Sequence, residues 1–277
     1  MVIVVAIVGL LREKGTLYMF TFGELIVILV VVGIVAGIVS TAAGLASLVS
    51  YPVLLALGLP PVTANVTNTV GLVFTSFGAV PASRRELRGH GQELKTLIPL
   101  TLVGSIVGAI LLFIIPAATF AKVVPFFILI AGILVLIPRH IHIKQPGEIV
   151  VTPKWMTALA WLGIFLVGAY TGYFGAAGGV LMLSILSFTS AAPFVVYNAQ
   201  KNLALGLANI VSAVVYGLQT PIQWRYVLPL GIGTGGQFVQ IGLWIVSENE
   251  VSGDKLNSNV KAGKLTYVTI LKLSHRV

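Results

Sequence analysis

Long apolar blocks alternate with short polar loops along the chain, and charged residues mark the borders. Residues 19–83 carry one charge, Glu24; residues 96–138 carry only Lys122; residues 155–224 carry only Lys201. A helix needs about 20 apolar residues to cross a bilayer, so each block holds more than one span. Glycines and prolines subdivide the blocks. In the first, Gly44, Gly58 and Pro60-Pro61 predict helix A at 23–43, a short helix B at 45–57 and helix C at 62–83. Pro116 and Pro138 then bound helix D at 95–114 and helix E at 118–137. The order recurs as A′ at 155–176, B′ at 179–190, C′ at 194–217 and D′ at 226–246.

The order repeats in its small residues too. Gly33-x-x-x-Gly37 leads to Ala42-Ala43-Gly44, and 135 residues later Gly168-x-x-x-Gly172 leads to Ala177-Gly178-Gly179. Asn65-Val66-Thr67-Asn68-Thr69 corresponds to Asn198-Ala199-Gln200-Lys201-Asn202 at an offset of 133, and Gly104-x-x-x-Gly108 corresponds to Gly231-x-x-x-Gly235. Small residues at this spacing let membrane helices approach closely; their shared order argues for a duplication. The expected organisation is an N-terminal extension at 1–18 that is not the native start, a first membrane repeat at 19–138, a linker at 139–154, a second repeat at 155–247 and a polar, basic tail at 248–277. The apolar run before Arg12-Glu13-Lys14 lacks the preceding positive charge of a signal peptide, and Met19 stands just before helix A.

Composition agrees with the blocks. The hydrophobic fraction is 57%, the mean hydropathy +1.02 and the charged fraction 9%, against about 25% charge in soluble domains. A chain with so little charge cannot cover a globular surface in water. The fold class is therefore an all-α polytopic membrane protein of about eight transmembrane helices, in two repeated halves with short broken helices. The net charge of +9 fits loops facing anionic lipid rather than nucleic acid. The C–D loop region carries Arg84, Arg85, Arg88 and Lys95, and the E–A′ linker carries Arg139, Lys144 and Lys154, which places both in the cytoplasm. The C′–D′ loop carries only Arg225. Inverted repeats of five segments predict that contrast, and inversion around a midplane site is a transporter architecture; the alternative is two parallel four-span halves in which B and B′ do not cross.

Polar groups at membrane depth are costly and tend to face a partner or a wet cavity. In C′, Asn198, Asn202, Gly206, Asn209 and Ala213 share one helical face; in C, Asn65, Thr69, Ser76 and Ser83 form a looser stripe beside Asn68. One stripe per half builds a cavity between halves; the alternative is that these residues only join helices. The breaks at Gly44 and at Gly178-Gly179 expose helix ends that attract anions, or serve close packing. Lys201 needs an anion or carbonyl partner if buried; otherwise it snorkels to the headgroups. The candidate binding residues are thus Lys201, Asn198, Asn202, Asn209, Asn65, Asn68, Thr69, Ser76, Gly44, Gly178 and Gly179. Glu24, Lys122 and Arg225 read as interfacial anchors. No Cys is present, His90, His140, His142 and His275 fall in loops or the tail, and no phosphate-binding loop occurs. No catalytic or metal site is expected.

Gly33-Ile-Val-Ala-Gly37-Ile-Val-Ser-Thr-Ala-Ala-Gly44, then Tyr51-Pro52-Val-Leu-Leu-Ala-Leu-Gly58-Leu-Pro60-Pro61-Val-Thr-Ala64-Asn65, and later Gly168-Ala-Tyr-Thr-Gly172-Tyr-Phe-Gly-Ala-Ala-Gly178-Gly179, resemble the TauE/SafE sulfite-exporter family over about Met19 to Gly236. The resemblance implies a secondary carrier in a prokaryotic plasma membrane that moves sulfite, sulfonates or related small organic anions. It implies a small anionic substrate, a proton or sodium as coupling ion, no cofactor and no nucleic acid, and leaves the oligomeric state open. After Gly236 the chain departs from the family, which continues into a final apolar span; here Lys255, Lys261, Lys264 and Lys272 accumulate. A non-transporting scaffold or an inactive, truncated or frameshifted paralogue is the alternative reading.

Overall fold

A computed structural model describes residues 21–136, 154–190 and 192–236. The expected N-terminal extension, most of the linker, the far half of D′ and the basic tail lie outside the described residues. Helices dominate: α1 (Phe22–Ala43), α2 (Ala46–Ala56), α3 (Pro61–Ala82), α4 (Arg84–Leu87), α5 (Gly91–Ile114), α6 (Ala117–Leu136), α7 (Lys154–Tyr173), α8 (Gly178–Thr189) and α9 (Phe194–Gln219), followed by a helical stretch at 224–236, here α10. No strand occurs among the described residues.

The ends follow from local chemistry. Thr21 and Glu24 form a reciprocal cap at the start of α1: the Glu24 N–H donates to Thr21 Oγ1 and the Thr21 N–H to Glu24 Oε2. That helix stops at Gly44, whose left-handed backbone (φ 73°) turns its N–H back onto the Ser40 carbonyl. A′ was expected to reach residue 176, yet α7 stops at Tyr173. The reason is Gly175 (φ 72°), whose N–H folds back to the Tyr170 carbonyl. Helix D begins four residues earlier than expected, at Gly91, because Glu93 suits the positive end of a helix in its first turn. The short α4 was not expected.

By length and composition, α5 and α9, together with the Phe22–Thr41 part of α1 and the Trp155–Tyr173 part of α7, are able to cross a membrane. The packing is inside out relative to a soluble bundle. Thr101, Gly104, Ser105, Gly108 and Ala109 of α5 are buried, whereas Val103, Ile106, Val107, Ile110 and Ile114 are exposed. Such an apolar exterior is stable only in lipid. The chain is a multi-pass membrane protein.

Helices pair crosswise between the two halves. Gly104 and Gly108 of α5 meet the backbone of α7 at Phe165, Ala169 and Tyr173, while Gly168 and Gly172 of α7 meet Thr101, Ser105 and Ala109 of α5. In the same way Gly33 of α1 touches Leu230 and Gly233 of α10. α1 thus packs on α10, and α7 on α5. The contact order shows α5 and α7 running parallel. It also shows α3 and α9 running antiparallel: Ser76, late in α3, meets Gly206 of α9, whereas Asn65, early in α3, and Tyr216, late in α9, both donate to carbonyls at the end of α7, those of Tyr173 and Gly172. Thr234 Oγ1 of α10 donates to the Gly71 carbonyl of α3 at 3.0 Å.

Candidate functional site

Two helix breaks face each other at the centre of this arrangement. In the first, α1 gives way through Gly44 and Leu45 to the 11-residue α2. In the second, α7 gives way through Gly175 and Ala177, both left-handed (φ 72° and 61°), to the 12-residue α8. A left-handed Ala costs about 1–2 kcal/mol, so the second break stores strain. The short helices are about 16–18 Å long, roughly half of a bilayer core. Gly44 and Gly179 touch backbone to backbone, and a methyl on either would overlap the backbone of the other.

Beside that contact lies a cavity of about 40 Å³, lined chiefly by Ser40, Gly44, Ser47, Thr69, Thr171 and Asn209. Its volume admits a few waters or a small ion. Both halves contribute: Ser40 and Gly44 close α1, Ser47 opens α2, Thr69 comes from α3, Thr171 from the end of α7 and Asn209 from α9. Neither α2 nor α8 has a side-chain cap at its N-terminus, and backbone N–H groups left there favour anions. Thr171 Oγ1 is buried without a hydrogen-bond partner, and it sits over the first residue of α8, where a methyl on Gly178 would strike it. A buried hydroxyl without a partner costs about 1–3 kcal/mol.

The sequence-predicted residues do not act as one surface. Gly44, Thr69 and Asn209 line the cavity, and Gly178 and Gly179 shape the start of α8 beside it. Asn68 is committed to structure: its Nδ2 donates to Ser47 Oγ at 3.0 Å, and Ser50 Oγ donates to its Oδ1. Ser76 is spent on close contact with Gly206. Asn65 and Asn198 reach across the halves, Asn65 Nδ2 to the Tyr173 carbonyl at 2.9 Å and Asn198 Nδ2 to the Thr41 carbonyl at 3.5 Å. Asn202 is half-buried on α9 and outside the cavity lining.

Lys201 does not snorkel. It is 1% exposed, and its Nζ lies 3.5 Å from the carbonyls of both Ser40 and Thr41 at the end of α1. Those contacts are long, so the ammonium is only partly satisfied. The same Ser40 lines the cavity, which puts Lys201 one residue behind its wall. Glu24, Lys122 and Arg225 are exposed, as anchors should be, and Arg225 stacks over Tyr226 at 5.2 Å. Sequence reasoning missed Ser40, Ser47 and Thr171. It also missed the pairing of buried Gln200 with Glu93, a residue read as part of the C–D loop. Thr171 stands between Gly168 and Gly172, and its place one turn before the break was the available signal.

Residues 29–248 match the family described as sulfite exporter TauE/SafE. The chain is 30% identical over 217 residues to "Probable membrane transporter protein ORF9" of Sinorhizobium sp., covering 76% of this chain and 79% of the relative. It is 30% identical over 194 residues to a "Probable membrane transporter protein" of Haemophilus influenzae, covering 65% and 72%. It is 28% identical over 153 residues to "Probable membrane transporter protein YfcA" of Escherichia coli K12, covering 55% of each. No solved structure matches the chain at a significant level.

Proposed function

Because the chain belongs to the sulfite exporter TauE/SafE family of membrane proteins, we propose that it is a secondary carrier of small anions, sulfite and sulfonates among them, working by alternating access. The cavity between the two helix breaks is the substrate site. The observation that carries this reading is the cavity's lining: both halves supply it, and Thr171 presents a buried hydroxyl with no protein partner. A site shared by two repeats opens to alternate sides when one repeat rocks against the other.

In this reading residues 19–138 and 155–247 are inverted repeats. The antiparallel course of α3 and α9 supports inversion, since equivalent helices of parallel repeats run the same way. The crosswise glycine contacts support a twofold relation between halves. Asn209, Thr69, Ser47 and the N-termini of α2 and α8 hold the anion. Asn65, Asn198 and Lys201 fix the helix ends that frame it. A proton or sodium gradient drives the cycle.

The test is flux into proteoliposomes containing the purified full chain, with sulfite, isethionate, sulfoacetate and short carboxylates offered in turn. Saturable uptake of at least one anion, absent from empty liposomes, is the expected result. No uptake of any of them by protein with an intact cooperative melt would sink the carrier reading.

A further inference from the structure

Four helix ends converge on the cavity, and their partial charges cancel. The C-termini of α1 and α7 each bring about half a negative charge, and the N-termini of α2 and α8 each about half a positive one. Among the described residues, Lys201 is the one side chain with a formal charge that is fully buried. Other charges near it are few. On α5, Glu93 binds Gln200, but its side chain is 45% exposed beside His90. On α4, Arg84 and Arg85 are exposed, and Glu86 is half-buried with its Oε2 shielded and without a hydrogen-bond partner, but α4 lies outside the cavity lining. The only charged residue of α1, Glu24, opens the helix at its far end, and α3 and α8 have none. The centre therefore holds a net charge of about plus one.

From this we infer that the site is matched to a single negative charge: it takes monoanions and rejects dianions of the same shape. The inference rests on the carrier reading and deepens it. Lys201 Nζ lies 3.5 Å from the Ser40 and Thr41 carbonyls. A monoanion in the cavity, across the Ser40 wall, neutralises the ammonium. A dianion leaves one charge unpaired in a low-dielectric centre, which is strongly unfavourable. Beside the apolar Ala46, Leu72 and Phe174, the side-chain polar groups of the lining are hydroxyls and the Asn209 amide, which orient an oxyanion without adding charge.

Methanesulfonate and sulfate separate the possibilities. They share a tetrahedral shape, and each keeps its charge across the whole working pH range. Uptake and thermal stabilisation are measured for the wild-type chain, Lys201→Arg and Lys201→Gln. Methanesulfonate should enter wild-type liposomes at least about tenfold faster than sulfate, and stabilise the protein where sulfate does not. Lys201→Arg should keep the preference and Lys201→Gln should lose it. Sulfate carried as well as methanesulfonate by the wild type, or a Lys201→Gln variant with unchanged preference, overturns the inference while leaving a carrier. Wild-type protein that melts cooperatively but neither binds nor moves any anion removes the carrier reading, and this inference with it.

Discussion

Asn65 and Asn198 occupy matching positions in the two halves, and each donates to a carbonyl at the end of the other half's broken helix: Asn65 to Tyr173 at 2.9 Å, Asn198 to Thr41 at 3.5 Å. The two bonds act as clamps: α3 holds the end of α7, and α9 holds the end of α1. The clamp on α7 is the tighter.

Unequal clamps should have unequal energies. Side-chain hydrogen bonds between membrane helices are worth about 0.6 kcal/mol on average and up to about 1.7. Asn65→Leu should therefore lower the melting temperature in detergent more than Asn198→Leu does. Equal melting curves, or the opposite order, would show that the Asn65 bond does not hold the second break.

The glycine crossing should be intolerant of even a methyl group. Gly44→Ala meets the Gly179 backbone and also forces alanine to a φ of about 73°, a conformation that costs about 1–2 kcal/mol before any overlap. Gly179→Ala meets Gly44. Both variants should lose most of the folded, monodisperse yield. Gly23→Ala, where a methyl has open space, should melt within about 1 kcal/mol of wild type. A Gly44→Ala variant as stable as Gly23→Ala would rule out the close crossing.

Orientation is testable with single cysteines, since the natural chain has none. Arg88, after α4, and Gln223, before α10, are both exposed. In inverted repeats they lie on opposite sides of the membrane. Arg88→Cys should resist an impermeant thiol reagent added to intact cells, and Gln223→Cys should react. Labelling of both from the same side would contradict inversion.

Much of the helical plan was legible because charges are expensive in lipid. The gaps in charge marked the blocks, and glycines and prolines within them predicted the boundaries of α1, α2, α3, α6, α8 and α9 to within a few residues and marked both breaks. What opposes each helix was not legible. Periodicity says which face is polar but not which neighbour it meets. The stripe on α9 therefore looked like one surface, yet it divides into a clamp at Asn198, a close contact at Gly206 and a cavity wall at Asn209. Asn68 and Lys201 stand at equivalent positions, and α2 offers Ser47 and Ser50 to the first. At the 135-residue offset of the breaks α8 has Met182 and Ile185 where α2 has those serines, and Lys201 turns instead to the end of α1. Thr171 escaped notice because a lone threonine in a small-residue run carries no periodic signal; what singles it out is a buried hydroxyl without a partner at the cavity wall.

The central claim is that the cavity between the breaks binds the transported anion, and Thr171→Val tests it most directly. Valine keeps the shape and removes a hydroxyl that has no protein partner, so stability should hold or rise slightly. Anion uptake in proteoliposomes should fall about tenfold or more, since a hydrogen bond to a charged group is worth about 1.5–3 kcal/mol. Uptake equal to wild type in a protein of unchanged stability would mean that the anion does not pass through this cavity.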